Sequence, residues 1–289
     1  MGEFTCRFRR FGDWNEIVGP RDIELQYYPD GMPMVKGGQR DRVVSLTLRP
    51  TTLQSFVSAM FWVDAYADRN AGEVPELILP FIPGSRQDRP NPTGDLLFTA
   101  KSIAGMINAR RFPKVTVFDP HSDVSSGLID RCEVIRPHFD EITDALVVGD
   151  VEWDAVIAPD AGGSKRAGAV ADALGLPLIH AFKSRDVSTG YVTTSGHEPI
   201  PDGVRNALVV DDICDGGRTF TGLADALPPD LILGLYVSHG IFSKGFDDLF
   251  ARYVRIITTD SVFGQRPTGA IAHALTEIPI TAILEGTQS

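Results

Sequence analysis

The sequence predicts an α/β protein of two similar domains, each a mainly parallel sheet flanked by helices. Short runs rich in β-branched residues alternate with amphipathic stretches, the pattern of strands joined through helices. The plan also occurs twice: ELILPFIPGSRQDR (76–89) and DAVIAPDAGGSKRA (154–167) each run from a strand through Pro and Gly into a basic segment. With 289 residues and 43% hydrophobic content, the chain can fill two modest cores. The expected boundary lies near residue 140, giving domains 1–140 and 141–289.

Taken in order, Arg42 to Leu48 (RVVSLTL) reads as a strand, and Thr52 to Ala67 as the helix after it. Glu76 to Ile82 is the next strand, ending at Pro83-Gly84. Asp95 to Arg110 carries Leu96, Ile103 and Ile107 at helical spacing, and Val115 to Phe118 is again a strand. Beyond a polar stretch near 136–150 come a strand at Ala155–Ala158, a helix from Ser164 and a strand at Pro177–His180. Val187 to Arg205, rich in Ser, Thr, Gly and Pro, reads as a long loop, the kind that serves as a functional lid or stays disordered. A strand at Ala207–Val210, a helix from Thr219, a strand at Leu231–Val237 and a last strand near Val254–Thr258 complete the plan.

Bulk properties exclude several partners. A net charge of −11 with pI near 5.0 argues against nucleic acid or an anionic membrane surface, either of which would meet a basic face. Cys6, Cys132 and Cys214 form neither a paired framework nor a ligand-spaced cluster, which implies a reducing setting. The opening MGEFTCRFRRFGDWNE lacks a signal peptide's apolar stretch, no run reaches transmembrane length, and Cys6 occupies the Ser/Thr position of a myristoylation site. A soluble cytoplasmic protein is expected.

In open α/β sheets, ligands bind beyond the carboxyl ends of the strands. After the strand at 207–210 come Asp211, Asp212, Ile213, Cys214, Asp215, Gly216, Gly217, Arg218 and Thr219, then a helix. The glycines allow backbone N–H groups to converge on an anion, and the helix N-terminus adds partial positive charge. Thr219 is expected to cap the helix and offer its hydroxyl to a phosphate. Asp211 and Asp212 are expected to face the opening, where they would hold sugar hydroxyls or a metal. A Gly-Gly turn alone is ordinary loop chemistry; the coincidence of acids, glycines, hydroxyl and helix start favours phosphate binding.

The other strand ends are less specific. Arg86-Gln87-Asp88-Arg89 suits a polyphosphate, because guanidinium forks bind phosphate oxygens bidentately, yet it also reads as a solvated charged turn. His121, in Asp119-Pro120-His121-Ser122-Asp123, is either a magnesium or phosphate ligand or a plain polar loop residue. Asp160 offers the carboxylate oxygen that magnesium takes. Lys165 and Arg166 fall in the first turn of the next helix, where cations are unfavourable unless an anion is near. Lys183 and Arg185 open the long loop, so they would either swing over a bound polyphosphate or stand in solvent.

Together these segments resemble ribose-phosphate pyrophosphokinase, or phosphoribosyl-diphosphate synthetase, of the phosphoribosyltransferase-like fold. The matching order is Tyr28-Pro29-Asp30-Gly31, Arg86-Gln87-Asp88-Arg89, Asp119-Pro120-His121, Pro159-Asp160-Ala161-Gly162-Gly163, Lys183-Ser184-Arg185, Val210-Asp211-Asp212 through Thr219, and Ser238-His239-Gly240. The resemblance implies that Arg86, Gln87 and Arg89 hold ATP, with Tyr28, Asp30 and Met32 in a loop reaching the adenine of a neighbouring subunit of a homo-oligomer. It implies that His121 and Asp160 ligate Mg²⁺ and that Lys183 and Arg185 belong to a mobile catalytic loop, with His121 also in the catalytic set. Asp211, Asp212 and Asp215 through Thr219 would bind ribose 5-phosphate. The implied reaction is attack of the ribose 1-oxygen on the β-phosphorus of ATP, with AMP leaving. Such transfers depend on positioning and electrostatics, and no activated Ser or Cys nucleophile is needed.

Two positions depart from the family pattern. Met32 stands where a Glu usually follows Asp-Gly, and Asp215-Gly216-Gly217-Arg218-Thr219 stands for Asp-Thr-Gly-Gly-Thr or Asp-Thr-Ala-Gly-Thr. Three readings stay open: transfer to ribose 5-phosphate, transfer to a larger acceptor containing it such as ADP-ribose, and a non-catalytic regulatory relative.

Overall fold

The computed structural model describes residues 4–10, 13–18, 24–36, 43–90, 97–137, 151–185, 192–263, 266–268, 272, 274–280 and 283. The chain divides into two compact units, Met1–Arg136 and Pro137–Ser289.

In the first unit, β1 (Phe4–Arg10), β2 (Asp13–Val18), β5 (Val43–Leu48), β6 (Glu76–Ile78), β7 (Val115–Phe118) and β8 (Cys132–Ile135) form one sheet in the order β2-β1-β5-β6-β7-β8. From β5 to β8 the strands are parallel, while β1 is antiparallel to both β2 and β5. Connecting them are α1 (Leu53–Arg69), α2 (Thr99–Asn108) and α3 (Asp123–Gly127). Thr52 starts α1 through a capping box: Ser55 N donates to Thr52 Oγ1 at 3.0 Å and Thr52 N to Ser55 Oγ at 3.2 Å. The apolar face of α1 (Phe56, Met60, Val63) packs with Leu46, Leu48, Leu77 and Val117, all fully buried or nearly so. At the first residue of β5, the Val43 N–H donates to Tyr66 Oη at 2.9 Å, so a buried donor is satisfied from α1.

The second unit carries a seven-stranded sheet ordered β11-β10-β9-β12-β13-β14-β15. Its strands are β9 (Ala155–Ala158), β10 (Leu178–Arg185), β11 (Val192–His197), β12 (Asn206–Cys214), β13 (Ile232–Gly240), β14 (Tyr253–Thr259) and β15 (Leu275–Ile278). All neighbours are parallel except the β10–β11 hairpin. The helices are α4 (Ser164–Leu174), α5 (Arg218–Ala226) and α6 (Asp247–Phe250). From β9 the chain steps to β10 on one side, and β12 then lies on the other. The carboxyl ends of β9 and β12 therefore flank a topological switch point, where open sheets bind ligands. Phe220 and Leu223 of α5 cover Val209, Leu235 and Ile256, and a Cβ at Gly234 would strike the buried Trp153 ring. Among the described residues, no helix is long and apolar enough to cross a membrane.

The α/β class and the mainly parallel sheets are as the sequence predicts, but several elements differ. No element was expected before Arg42, yet β1 and β2 lie there, with a further hairpin of β3 (Glu24–Tyr27) and β4 (Pro33–Lys36). Phe4, Cys6 and Phe8 alternate with Thr5, Arg7 and Arg9, the period of an antiparallel strand, which a search for strand–helix alternation passes over. β6 stops at Ile78 rather than Ile82; Leu79 N still donates to Thr116 O at 2.8 Å, but Pro80 and Pro83 have no N–H to continue the ladder. α2 starts at Thr99; Asp95 and Leu96 lie outside the described residues, as do Arg42 and residues 187–191. The expected long loop holds β11, whose Val192, Thr193 and Thr194 are β-branched and pair with β10. β13 runs on to Gly240, and β15 follows the strand expected to be last.

Candidate functional site

The second unit assembles its acidic residues at the switch point. Asp160 follows β9 and Pro159; its Oδ1 accepts the Gly163 N–H at 3.0 Å, closing the turn that starts α4. Ser164 Oγ donates to Asp160 O at 3.1 Å and lies 3.2 Å from His180 Nδ1. A Cβ at Gly163 would stand 3.1 Å from Asp211 Oδ1, so the missing side chain is what lets the Asp211 carboxylate lie against this turn. Asp211 Oδ1 accepts the Asp212 N–H at 2.9 Å. Burial, then the charges of Asp212 and Asp160, push the Asp211 carboxyl up to about 7, against the Asp212 N–H and the Arg166 charge. Lys165 and Arg166 do fall in the first turn of α4, and Arg166 is the cation that acts on this cluster.

Two expectations about this segment are corrected. β12 runs to Cys214, so Asp211 and Asp212 are strand residues, and the period of two turns them to opposite faces. Asp211 is half-buried, whereas Asp212 is buried and its Oδ1 accepts the Ile213 N–H at 2.9 Å. The acids do not both face the opening. Nor does Thr219 cap the helix: α5 begins at Arg218, and its N-cap is Gly217 at φ +76°, which supplies no side-chain cap. That φ is open to glycine and costly for a residue with a Cβ, and a Cβ there would also meet Leu249 at 3.2 Å. Gly216 and Arg218 are exposed and Thr219 is half-buried.

The loop is backed by residues to which the sequence assigned no role. Cys214 O accepts the N–H groups of Ile241 (2.9 Å) and Phe242 (3.1 Å), and Asp215 O accepts that of Ser243 (3.1 Å). Ser243 Oγ donates to Asp215 Oδ1 at 2.5 Å, and Lys244 Cγ lies 3.5 Å from where a Gly216 Cβ would be. Their signal was the preceding Ser238-His239-Gly240, which ends β13 beside the end of β12. Ser238 and His239 are themselves buried, with His239 Nδ1 2.8 Å from Ser261 Oγ.

Lys183 and Arg185 do not open a loop. They lie on β10, in register with Thr194 and Val192 of β11, beyond a bulge between Phe182 and Lys183. Their main chain is placed and their side chains lie outside the described residues.

In the first unit, Arg86, Gln87 and Arg89 sit on the turn after β6, beside the loop after β7. Arg86 is exposed. Gln87 is tied to the start of α2: Thr99 Oγ1 donates to its Oε1, and Ala100 N to its main-chain O at 3.2 Å. Arg89 Nε donates to Asp88 Oδ1 at 3.0 Å. Burial raises the Asp88 carboxyl, but hydrogen bonds from Arg89 and Ser122, with the charges of Arg89 and His121, outweigh it and hold it below the ordinary value. These interactions bring Arg86–Arg89 and Asp119–Asp123 together. His121 is exposed and follows Asp119, which is buried at φ +38°, an uncommon conformation for a residue other than Gly. Tyr28, Asp30 and Met32 form the exposed tip of the β3–β4 hairpin, closed by Tyr28 N to Met32 O (2.9 Å) and Met32 N to Asp30 Oδ1 (3.0 Å). Gln54 of α1 reaches Gly31 O at 3.3 Å.

His121 and Asp160 belong to different units. Among the described residues, no group of three or more His, Cys, Asp or Glu side chains is arranged to enclose a metal. An acid-rich switch point offers acceptors for hydroxyl groups, and the uncapped glycine turn beside it offers main-chain N–H groups to an anion.

Comparison with known proteins narrows this. Residues 139–229 match the phosphoribosyl transferase domain. A ribose-phosphate pyrophosphokinase of Thermococcus kodakarensis is 28% identical over 247 residues, covering 81% of this chain and 82% of the relative. One from Sulfolobus acidocaldarius is 24% identical over 258 residues, covering 88% and 83%. Over most of its length the chain is thus similar to ribose-phosphate pyrophosphokinases. The crystal structure of phosphoribosylpyrophosphate synthetase from Mycobacterium smegmatis superposes with a TM-score of 0.73 at 21% identity, over 92% of this chain and 88% of that one, and so shares its fold. The segment matched by the phosphoribosyl transferase domain contains the Asp160 turn, the β10–β11 hairpin and the whole run from Asp211 to Thr219.

Proposed function

We propose that this protein transfers diphosphate from ATP to the 1-hydroxyl of ribose 5-phosphate, giving phosphoribosyl diphosphate and AMP, with Mg²⁺ as cofactor. The observation that carries the reading is the joining of the Asp160 turn to Asp211 across Gly163, next to the Gly216–Gly217 turn that starts α5. The names of the relatives support it.

In this reading the half-buried Asp211 holds ribose hydroxyls, and the α5 N-terminus with Thr219 receives the 5-phosphate. Arg86 and Gln87 hold ATP, and the Tyr28–Met32 tip meets the adenine bound to a neighbouring copy in a homo-oligomer. Arg89, bonded to Asp88, orders the ATP turn as well as adding charge. Lys183 and Arg185 bring cations on a paired strand to the phosphates during transfer, where preorganised charge stabilises the transition state. Crowded carboxylates at Asp160 and Asp211 suit a hard divalent cation with oxygen ligands, so Asp160 fits magnesium; His121 of the first unit is the other ligand that the family resemblance implies. Magnesium bound there would supply positive charge against the phosphate oxygens. The free thiols of Cys132 and Cys214 accord with a reducing, cytoplasmic setting.

The test is a product assay with ATP, Mg²⁺ and a panel of ribose phosphates, read by ³¹P NMR. Phosphoribosyl diphosphate and AMP should form in equal amounts, EDTA should stop them, and Asp160→Asn should raise the magnesium requirement. Full activity in metal-free buffer would end the magnesium assignment, and absence of AMP with every acceptor would end the reading. The exposed Arg218 supports a second reading, transfer to ADP-ribose, because its fork favours an acceptor with more phosphate oxygens. AMP release above background with ADP-ribose decides for it.

A further inference from the structure

We infer that Lys244 is a further acceptor-binding residue, which takes over at the phosphate turn the place that a side chain at position 216 would fill. The inference rests on the proposed ribose-phosphate site and deepens it. Residues 241–243 are bonded to the turn by four contacts: Ile241 N and Phe242 N to Cys214 O, Ser243 N to Asp215 O, and Ser243 Oγ to Asp215 Oδ1. The main chain leading into Lys244 is thereby held against the turn, and the Gly245 N–H donates to Phe242 O at 2.9 Å just beyond it. The lysine stem then runs over Gly216, its Cγ 3.5 Å from the Cβ position. A Cβ alone would be in ordinary contact there; the γ-atoms of a threonine would need the space the stem occupies.

The charge balance points the same way. The chain has 38 acidic and 27 basic side chains, so two cations gathered at one turn stand out against an acidic whole. Lys244 and Arg218 are both exposed, and among the described residues neither has a carboxylate within ion-pair distance. They flank the same two glycines, and Arg218 stands in the first turn of α5, where the helix dipole disfavours a cation unless an anion is bound. Dropping a side chain at 216 thus exchanges a neutral hydroxyl for an ammonium on a long stem. The ligand this suits is the phosphate end of the acceptor, with charge and reach for a phosphoryl group beyond the first.

Three proteins test this: the parent, Lys244→Met and Lys244→Arg, all full-length. Each is titrated with ribose 5-phosphate by calorimetry without ATP, and assayed for KM of acceptor, KM of ATP and kcat. Lys244→Met should raise the acceptor Kd and KM about tenfold or more, the scale of one charge-assisted contact. ATP KM and kcat should change by no more than about twofold, and Lys244→Arg should recover most of the loss. Acceptor Kd and KM that stay at parent values in Lys244→Met would overturn the inference, as would a parent that does not bind ribose 5-phosphate. A parent that binds ribose 5-phosphate but transfers nothing to it sinks the proposed reaction alone, and the calorimetric arm still decides the role of Lys244. Gly216→Thr provides a second check: it should weaken acceptor binding in the parent and do so less in a Lys244→Gly background. Equal losses in both backgrounds would show that the stem and position 216 do not compete for one space.

Discussion

Asp154 shows how much one side chain can hold at the residue scale. Its Oδ2 accepts the N–H groups of Arg205 and Asn206, each at 2.9 Å, while its own N–H donates to Asn206 O at 2.8 Å. The starts of β9 and β12, the two strands that carry the acidic site at their other ends, are thereby pinned in register. The Arg205 and then the Asn206 N–H hold the carboxyl below its ordinary value against the opposing effect of burial. A carboxyl depressed in the folded state stabilises above its unfolded pKa and loses that contribution as the pH falls through the folded one. Asp154→Ala should therefore cost about 1 to 2 kcal/mol near neutral pH, and the gap to the parent should close below about pH 4. Urea titrations of both proteins from pH 7 to pH 3 would measure it; a gap that stays constant with pH would show that packing, not the charge, matters at this position.

At the scale of elements, the β10–β11 hairpin places Lys183 and Arg185 differently from a loop. Register with Thr194 and Val192 fixes the main chain at both residues, so in the proposed transfer their backbone would need little ordering. Lys183→Ala should lower kcat by about two orders of magnitude with little change in ATP binding, the pattern for loss of a contact made in the transition state. Steady-state kinetics with a nucleotide-binding titration would check this. A normal kcat would place the lysine outside the chemistry. The same hairpin marks a limit of composition as a guide. Ser, Thr and Gly between 187 and 205 read as loop chemistry, and only pairing with β10 makes 192–197 a strand.

For the whole molecule, the relevant fact is that each unit has its own sheet and its own hydrophobic core. The core of the first centres on Leu46, Leu77 and Val117 under α1, and that of the second on Val209, Leu235 and Ile256 under α5. Units with separate cores fold separately as a rule. A fragment of residues 137–289 is expected to be soluble and to unfold in one cooperative thermal transition, which calorimetry can record. A broad, non-cooperative transition would mean that the second unit depends on the first.

The sequence by itself determined the α/β class, the strand ends from which the candidate site residues come and the resemblance to the pyrophosphokinases, because these rest on local signals. Alternation of apolar runs survives in any packing, and a Pro-Asp-x-Gly-Gly or Asp-Asp…Gly-Gly segment keeps its order whatever surrounds it. Tertiary structure alone decided which way those residues point. Asp211 and Asp212 are neighbours in the chain, yet strand β12 continues through them to Cys214 and turns one toward Gly163 and the other inward. Thr219 lost its capping place to Gly217, because the turn needs a left-handed residue that the threonine cannot supply. Ser243 and Lys244 reach the Gly216–Gly217 turn from 28 residues beyond Asp215 and its neighbour, a contact made only when β12 and β13 pair. Local patterns are legible because they are short-range; side-chain direction and long-range contact exist only once the sheet has formed.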